Sequence, residues 1–514
     1  MKRNIILYSI VTIGLILNSC SGFLDEVPLS NVTDKNYYQT EQDAEGAVNA
    51  IYETVGIGSA SSWLGTGNGN TTYGGVFYND YWMIQDIFSD NAMRDDARWA
   101  AFDNFSVAET NAQIKTLWYS FYRSINVANA AIEKIPAISM DEGKRNHLVA
   151  EALFWRALLY AEMVKLWGDV PLKLMPSESV NELFEFVREN QMVVLEQAIT
   201  DIENAIANFK TGYRTGYGRA DALIGNAIAA KIFLIKAART GKNEDYQKVI
   251  NYAQTVINSK KYDLYPNFAD NFIISKKHGI ESILSINYET VGLWGSQFNV
   301  CLLPKEIRDN SPSGNEGPTN ALSWMVPTTD FYNSYADGDT RRNVTIMSEF
   351  TYSNGTTCVF AGNAKYPFYF NKYWDRIAEP EGKNSGQNYP YMRYSDLLLI
   401  YAEALNEVNS EPPAEAYQAI NKVRDRAFND NGSGAHNISN QSKIQFRATI
   451  LNERRWELAL ESSRWFDLVR LSTNFVQDIK RVKPNSFVAD KHKLLPIPQY
   501  ERLLNNTISQ NEGY

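Results

Sequence analysis

Cys20 is the first residue whose surroundings point to a particular chemistry. Lys2 and Arg3 open the chain, an apolar run follows from Ile5 to Leu17, and Leu17-Asn18-Ser19 leads from it into the cysteine. The run is too short to span a bilayer and has the order of an export signal. Small or polar residues before a cysteine at that point form the pattern of a bacterial lipobox. There the Cys20 thiol is acylated, and cleavage makes it the first mature residue. Residues 1–19 are therefore expected to be a signal peptide, and a lipid on Cys20 the anchor. Each buried CH₂ of an acyl chain contributes about 0.8 kcal/mol, so several chains hold firmly.

A second set of residues suits recognition without covalent chemistry. Trp63 and Tyr73 stand in or beside a Gly-, Ser-, Thr- and Asn-rich stretch, residues 56–76. Arg94, Asp95 and Asp96 lead to Trp99, and Trp294 and Trp324 fall in residues 286–390, which are rich in Pro, Gly, Tyr and Trp. Flat rings pack on the C–H face of a sugar at low entropic cost. Carboxylates and guanidinium groups satisfy its rim of hydroxyls. These eight residues are thus ligand-binding candidates, with at least two of the four tryptophans expected to be partly exposed on one face. The alternative stands beside it: each ring packs beneath its own loop, and Arg94-Asp95-Asp96 is a solvated turn.

Catalytic sets are missing from the sequence. His147, His278, His436 and His492 are far apart and lack metal-ligand spacing. No phosphate-binding glycine loop or nucleophile elbow occurs. Hence no metal and no cofactor is expected, and Asp337-Gly338-Asp339 reads as an ordinary turn rather than a calcium loop. Nothing singles out the carboxylate pair of a glycosidase, so the chain is not expected to be an enzyme; a surface glycoside hydrolase is the weaker alternative. Glu453, Arg454, Glu457, Glu461, Arg464, Asp467 and Arg470 recur largely at spacings of three and four. That pattern suits ion pairs along a helix and contacts to its neighbours, a scaffold role. Cys301 and Cys358 either form a disulfide or remain buried thiols.

The elements that must hold these residues in place are mainly helical. Leu117, Phe121, Ile125, Ala128, Ile132 and Ile135 recur at helical spacing, as do Leu148, Ala152, Trp155, Leu159 and Met163. Gly168-Asp169-Val170-Pro171 stops the second helix. A helix over about 220–239, rich in small residues, invites a close neighbour, and about 244–259 is its expected antiparallel partner. Further helices are expected over about 41–55, 78–89, 187–208, 392–408, 413–428 and 443–471. The fold class is therefore all-α in the main, with helix pairs, long irregular excursions and a few short strands such as Thr357 to Phe360. No clean 34-residue tetratricopeptide signature is present. Residues 20–38 read as a tether and 39–514 as one domain, its helical scaffold over about 39–260 and 390–514 and a loop-rich excursion over about 264–390.

Composition narrows the partners. The formal charge is −9, and loss of Lys2 and Arg3 with the signal makes it −11. An acidic surface of this kind argues against nucleic acid and anionic lipid headgroups. With 44% hydrophobic residues the chain can bury a large core.

Several segments also share the wording of one family. Phe23-Leu24-Asp25 with Pro28, then Ala47, Asn49, Ala50 and Tyr52, begin the likeness. Trp118, Tyr122, Ile125 and Ala128-Asn129 continue it, followed by Glu151 to Tyr160 and Trp167 to Leu172. Met392 to Ala404, Ile420 to Arg424, Glu453-Arg454-Arg455 with Glu461, Arg464 to Arg470, Leu495 to Pro498 and Gln510 to Tyr514 complete it. The chain resembles the SusD/RagB family of lipoproteins from end to end. The resemblance implies a tetratricopeptide-like helical fold on the outer surface of a Bacteroidetes-type bacterium. It also implies an oligosaccharide or polysaccharide ligand and a SusC-like TonB-dependent transporter as partner. Trp99 and Trp324 fall in stretches matching the family's aromatic arc. The RagB branch implies peptide as the alternative cargo. One departure is that no dense acidic run follows Cys20.

Overall fold

The computed structural model describes residues 37–514, except 58–73, 178–185, 214–215, 291–294, 315, 319–320, 363 and 376–384. Twelve helices of eight residues or more are described. They are α1 (Glu41–Val55), α2 (Asp80–Ile87), α3 (Ala112–Lys134), α4 (Glu142–Trp167), α5 (Gln191–Asn208) and α6 (Ala222–Thr240) in the first half. The rest are α7 (Asn243–Asn258), α8 (Tyr394–Val408), α9 (Ala414–Ala427), α10 (Lys443–Glu457), α11 (Arg464–Leu471) and α12 (Phe475–Val482).

Their ends follow local chemistry. Thr40 and Ser442 form capping boxes with Asp43 and Gln445 at the starts of α1 and α10. Gly168 ends α4 at φ +73°, a conformation open to glycine at little cost. The expected helix pairs form: α4 packs on α5, α6 on α7, and α8 on α7 and α9. Two residues join α6 to α7, which forces the pair back on itself. The small residues of α6 serve α5 as well as α7, since a Cβ on Gly225 would lie 2.8 Å from Ile206 Cγ1. Arg156 on α4 also holds Asp201 on α5 through two bonds of 2.7 and 2.8 Å.

One expectation changes. The helix expected over 443–471 is two helices, because Leu460 and Ser462 take left-handed backbone between them. The excursion over 264–390 has the few short strands expected of it. It carries short strands in four two-stranded antiparallel sheets: β1 (Ala92–Arg94) with β3 (Met325–Pro327), β2 (Ser282–Ile286) with β8 (Tyr389–Arg393), β4 (Ile346–Met347) with β7 (Tyr369–Phe370), and β5 (Glu349–Thr351) with β6 (Thr357–Val359). A second small core of Leu303, Ile307, Val326, Phe350, Phe360 and Tyr369 lies beneath it. Cys301 is in the main core and Cys358 in the second; both are buried free thiols.

Buried charge ties this excursion to the C-terminal helices. Arg393 donates to Glu281 at 2.6 Å, to Glu457 at 2.8 Å and to Glu461 at 2.8 and 2.9 Å. Arg341 joins Asp339, Glu453 and Glu457, and Arg426 bridges Glu281 and Glu457. Asp339 is thus committed to Arg341. Of the seven charged residues read on this segment, only Asp467 and Arg470 pair along their own helix. The others reach neighbouring elements, so the scaffold role is confirmed through long-range pairs. Among the described residues no helix is long and apolar enough to cross a membrane.

Candidate functional site

The segment from Ser89 to Trp99 is a strap laid over the C-terminal helices. Arg464 grips Asp90 with two bonds of 2.7 and 2.8 Å, and Arg455 donates to Asn91 at 2.7 Å. Thr328 donates its backbone N–H to the Asn91 carbonyl and its hydroxyl to the Asp90 carbonyl. These anchors fix the register of β1 on β3, and the backbone N–H of Asp95 then meets the Trp324 carbonyl at 2.8 Å. Asp90 is buried, which would raise its carboxyl, yet Arg464 and Arg455 hold it well below the usual range.

Three chain segments converge on Asp95. Its carboxylate accepts from Ser323 and Tyr366, each at 3.2 Å, and pairs with Lys365. Asp96 accepts from the Arg98 guanidinium at 2.9 and 3.0 Å and from its backbone N–H at 2.8 Å. Hydrogen bonding to Arg98 lowers the Asp96 carboxyl. Arg94, Asp95 and Asp96 are half-buried, and Arg98 is exposed. The strap is a hydrogen-bonded polar ledge at the surface. Beside it Met93 lines a groove of about 430 Å³ with Thr328, Asp330, Arg481 and Asn485.

Two of the four tryptophans lie among the described residues, and both are buried, so the expected exposed pair would have to be Trp63 and Trp294. Trp99 is 3% exposed and Trp324 1%. Trp99 packs near Phe102, with ring centroids 5.6 Å apart, and the Arg98 guanidinium covers Trp324 at 4.3 Å. The Trp324 indole lies beneath the ledge because the β1–β3 pairing brings Asp95 and Arg98 onto it, while Trp99 ends the strap and turns into the core. Neither ring is presented for stacking. Cys20, Trp63, Tyr73 and Trp294 lie outside the described residues.

Sequence reasoning missed a second feature. A cavity of about 520 Å³ lies between α3, the segment after Pro171 and the terminal helical turn Gln499–Leu504. Lys115, Tyr119 and Tyr122 form a stripe on α3 at spacings of four and three, facing Tyr500 and Glu501. The stripe was visible in the sequence. Nothing local brings residue 500 to it. Among the described residues no group of three or more His, Cys, Asp or Glu could hold a metal ion.

With this geometry in view, the chain can be placed among known proteins. Residues 236–514 match the profile described as SusD family, and residues 63–234 match one described as "Starch-binding associating with outer membrane". The chain belongs to the SusD family. "SusD-like protein P25" of Formosa agariphila is 26% identical over all of this chain and 99% of its own length. A solved laminarin-binding SusD-like protein is 24% identical, with TM-score 0.73 over 93% of this chain and 100% of the other. Surface glycan-binding protein A from Bacteroides thetaiotaomicron, solved with laminarihexaose, is 21% identical, with TM-score 0.73 over 92% of this chain and 100% of that one. These last two likenesses concern the fold.

Proposed function

We propose that the chain is a lipid-anchored glycan-binding protein at the outer membrane, which captures an oligosaccharide and delivers it to a TonB-dependent transporter. One observation carries the reading: Asp95, Asp96 and Arg98, with Arg94 beside them, form a hydrogen-bonded ledge where three chain segments meet above the buried Trp324 indole. Fixed carboxylate and guanidinium groups at a surface complement sugar hydroxyls and lose little freedom on binding. Trp324 acts here as the floor of the site, and ring stacking is assigned to Trp63, Tyr73 and Trp294. Relatives named for laminarin, laminarihexaose and starch support a glycan as cargo. The anchor rests on Cys20 with residues 1–19 as signal, 20–38 as tether and 39–514 as the binding domain. No catalytic role is assigned to the site.

The test is calorimetric titration of soluble protein beginning after Cys20, against laminarihexaose, maltoheptaose and a wider glycan array. Binding to a glycan without shorter products is expected. Asp95→Asn should weaken it by about tenfold through loss of a charged hydrogen-bonding group. A chain that retains no glycan, or shortens one, overturns the reading.

A further inference from the structure

The groove beside the strap has one wall made by a pinned turn. After α12 the chain turns over Lys483–Ser486, with Pro484 second in the turn and the Ser486 N–H bonded to the Lys483 carbonyl at 3.1 Å. Lys483 donates to the Ile87 carbonyl and lies 2.9 Å from the Asp103 carboxylate. Just beyond the turn, the Phe487 N–H meets the Asn104 carbonyl at 2.8 Å. Anchors on both sides therefore hold Asn485 and Phe487 in place. Asn485 is exposed, and the Phe487 side chain is 69% exposed. A single exposed ring is ordinary on a protein surface. One fixed at the rim of a polar groove is a stacking platform.

The charges of the groove are already paired. Asp330 accepts from Arg455 at 2.8 Å and pairs with Arg481, and Asp103 pairs with Lys483. In the described lining, Asp103 and Asp330 balance Arg481 and Lys483, which leaves no net charge. A charged ligand would have to break one of these pairs and strand its partner. Neutral capacity is open instead. Among the described residues no hydrogen bond engages the side chains of Thr329 and Asn485, both exposed in the lining. Arg481 keeps N–H donors beyond its bond to Asp330. A hydroxyl and an amide both donate and accept, as sugar hydroxyls do.

We propose that this groove is a binding site for an uncharged oligosaccharide, with Phe487 as the ring on which a sugar face packs and Asn485 and Thr329 as partners for its hydroxyls. Met93 lines the groove and immediately precedes Arg94, so a glycan held at the ledge runs on into it. The volume of about 430 Å³ lies within the roughly 300–1,000 Å³ of small-ligand clefts. The assignment rests on the glycan reading above. It adds the direction in which the bound chain continues and the neutral class of its sugars.

The experiment is calorimetric titration of the soluble protein beginning after Cys20. Laminarihexaose, maltoheptaose and cellohexaose serve as neutral ligands, with tetragalacturonic acid, a chitosan tetramer and an N-acetylated tetra-alanine amide beside them. At least one neutral glycan should bind, and at least about tenfold more tightly than either charged oligomer or the peptide. Phe487→Ala and Asn485→Ala should each weaken that binding by about tenfold with the melting temperature unchanged. Loss of binding in both groove variants, with full binding in Asp95→Asn, keeps the groove and removes the ledge. Loss in Asp95→Asn with full binding in both groove variants keeps the ledge and overturns the groove. A charged oligomer that binds as tightly as the neutral ones overturns the neutral class, as does a peptide that binds more tightly than every glycan. If no neutral glycan binds, ledge and groove readings both fall.

Discussion

Arg393 and Lys115 carry the same charge into two different regions, and the contrast separates scaffold from site. Arg393 is 2% exposed and spends its guanidinium on Glu281, Glu457, Glu461 and Ser395. A buried charge needs this density of partners, because its desolvation would otherwise exceed any gain. Lys115 instead lies over two tyrosine rings at the wall of an open cavity. The first arrangement consumes hydrogen-bonding capacity within the fold, and the second leaves the ammonium against ring faces at a cavity wall. Sequence spacing alone draws attention to the wrong one, since the charged run at 450–471 is far denser than Lys115-Tyr119-Tyr122.

The largest expected effect lies in the charged core. Arg393→Met leaves three buried carboxylates short of their partner and should cost about 3–5 kcal/mol, read from the urea midpoint at constant slope. A loss below about 1 kcal/mol would show that the lattice relaxes and would erase the contrast. Trp324→Ala should cost about 3 kcal/mol and melt early, as should Trp99→Ala. If either variant melts like the wild type but loses glycan, its ring is exposed in solution and belongs to the site after all.

Next in size is a pH effect that compares two acids four residues apart. Asp90, gripped by Arg464, stays ionised, whereas Asp86, which accepts from the Leu460 N–H at 3.2 Å, is pushed up to about 7 by burial against the pull of Lys372. A folded-state value raised above the unfolded one contributes stability that is present below the unfolded value and lost as pH rises through 7. Asp86→Asn removes that loss. The variant should therefore gain about 2 kcal/mol relative to wild type between pH 5 and pH 8, and Asp90→Asn should show no such gain. Parallel melting curves for wild type and Asp86→Asn across this range would mean that Lys372 outweighs burial and keeps Asp86 ionised.

The smallest effect belongs to the cavity. Tyr500→Leu should change stability by no more than about 0.5 kcal/mol, since half of the ring is already in water. A loss of several kcal/mol would place Tyr500 with the scaffold and leave the cavity without an entrance.

Much of the helical frame could be read residue by residue. The stripe Leu148, Ala152, Trp155, Leu159 and Met163 is buried along α4, and Gly168 ends that helix where expected. Periodicity and breakers are local signals, and a helix uses local hydrogen bonds. The site was less legible. Arg94, Asp95 and Asp96 were found because charged residues beside an indole are conspicuous; that they form a ledge depends on Trp324, Lys365 and Tyr366 arriving from far along the chain.

What the sequence by itself determined is the set of helices, the breaks marked by glycine and proline, and the family wording from Phe23 to Tyr514. The break at Leu460 and Ser462 has no glycine or proline to announce it; it exists because Glu461 must reach Lys372 and Arg393 across the core. Only tertiary structure decided that Trp99 and Trp324 are buried and that Tyr500 meets Lys115. Burial and cation placement depend on which distant segments pack together, and spacing along the chain carries no record of that.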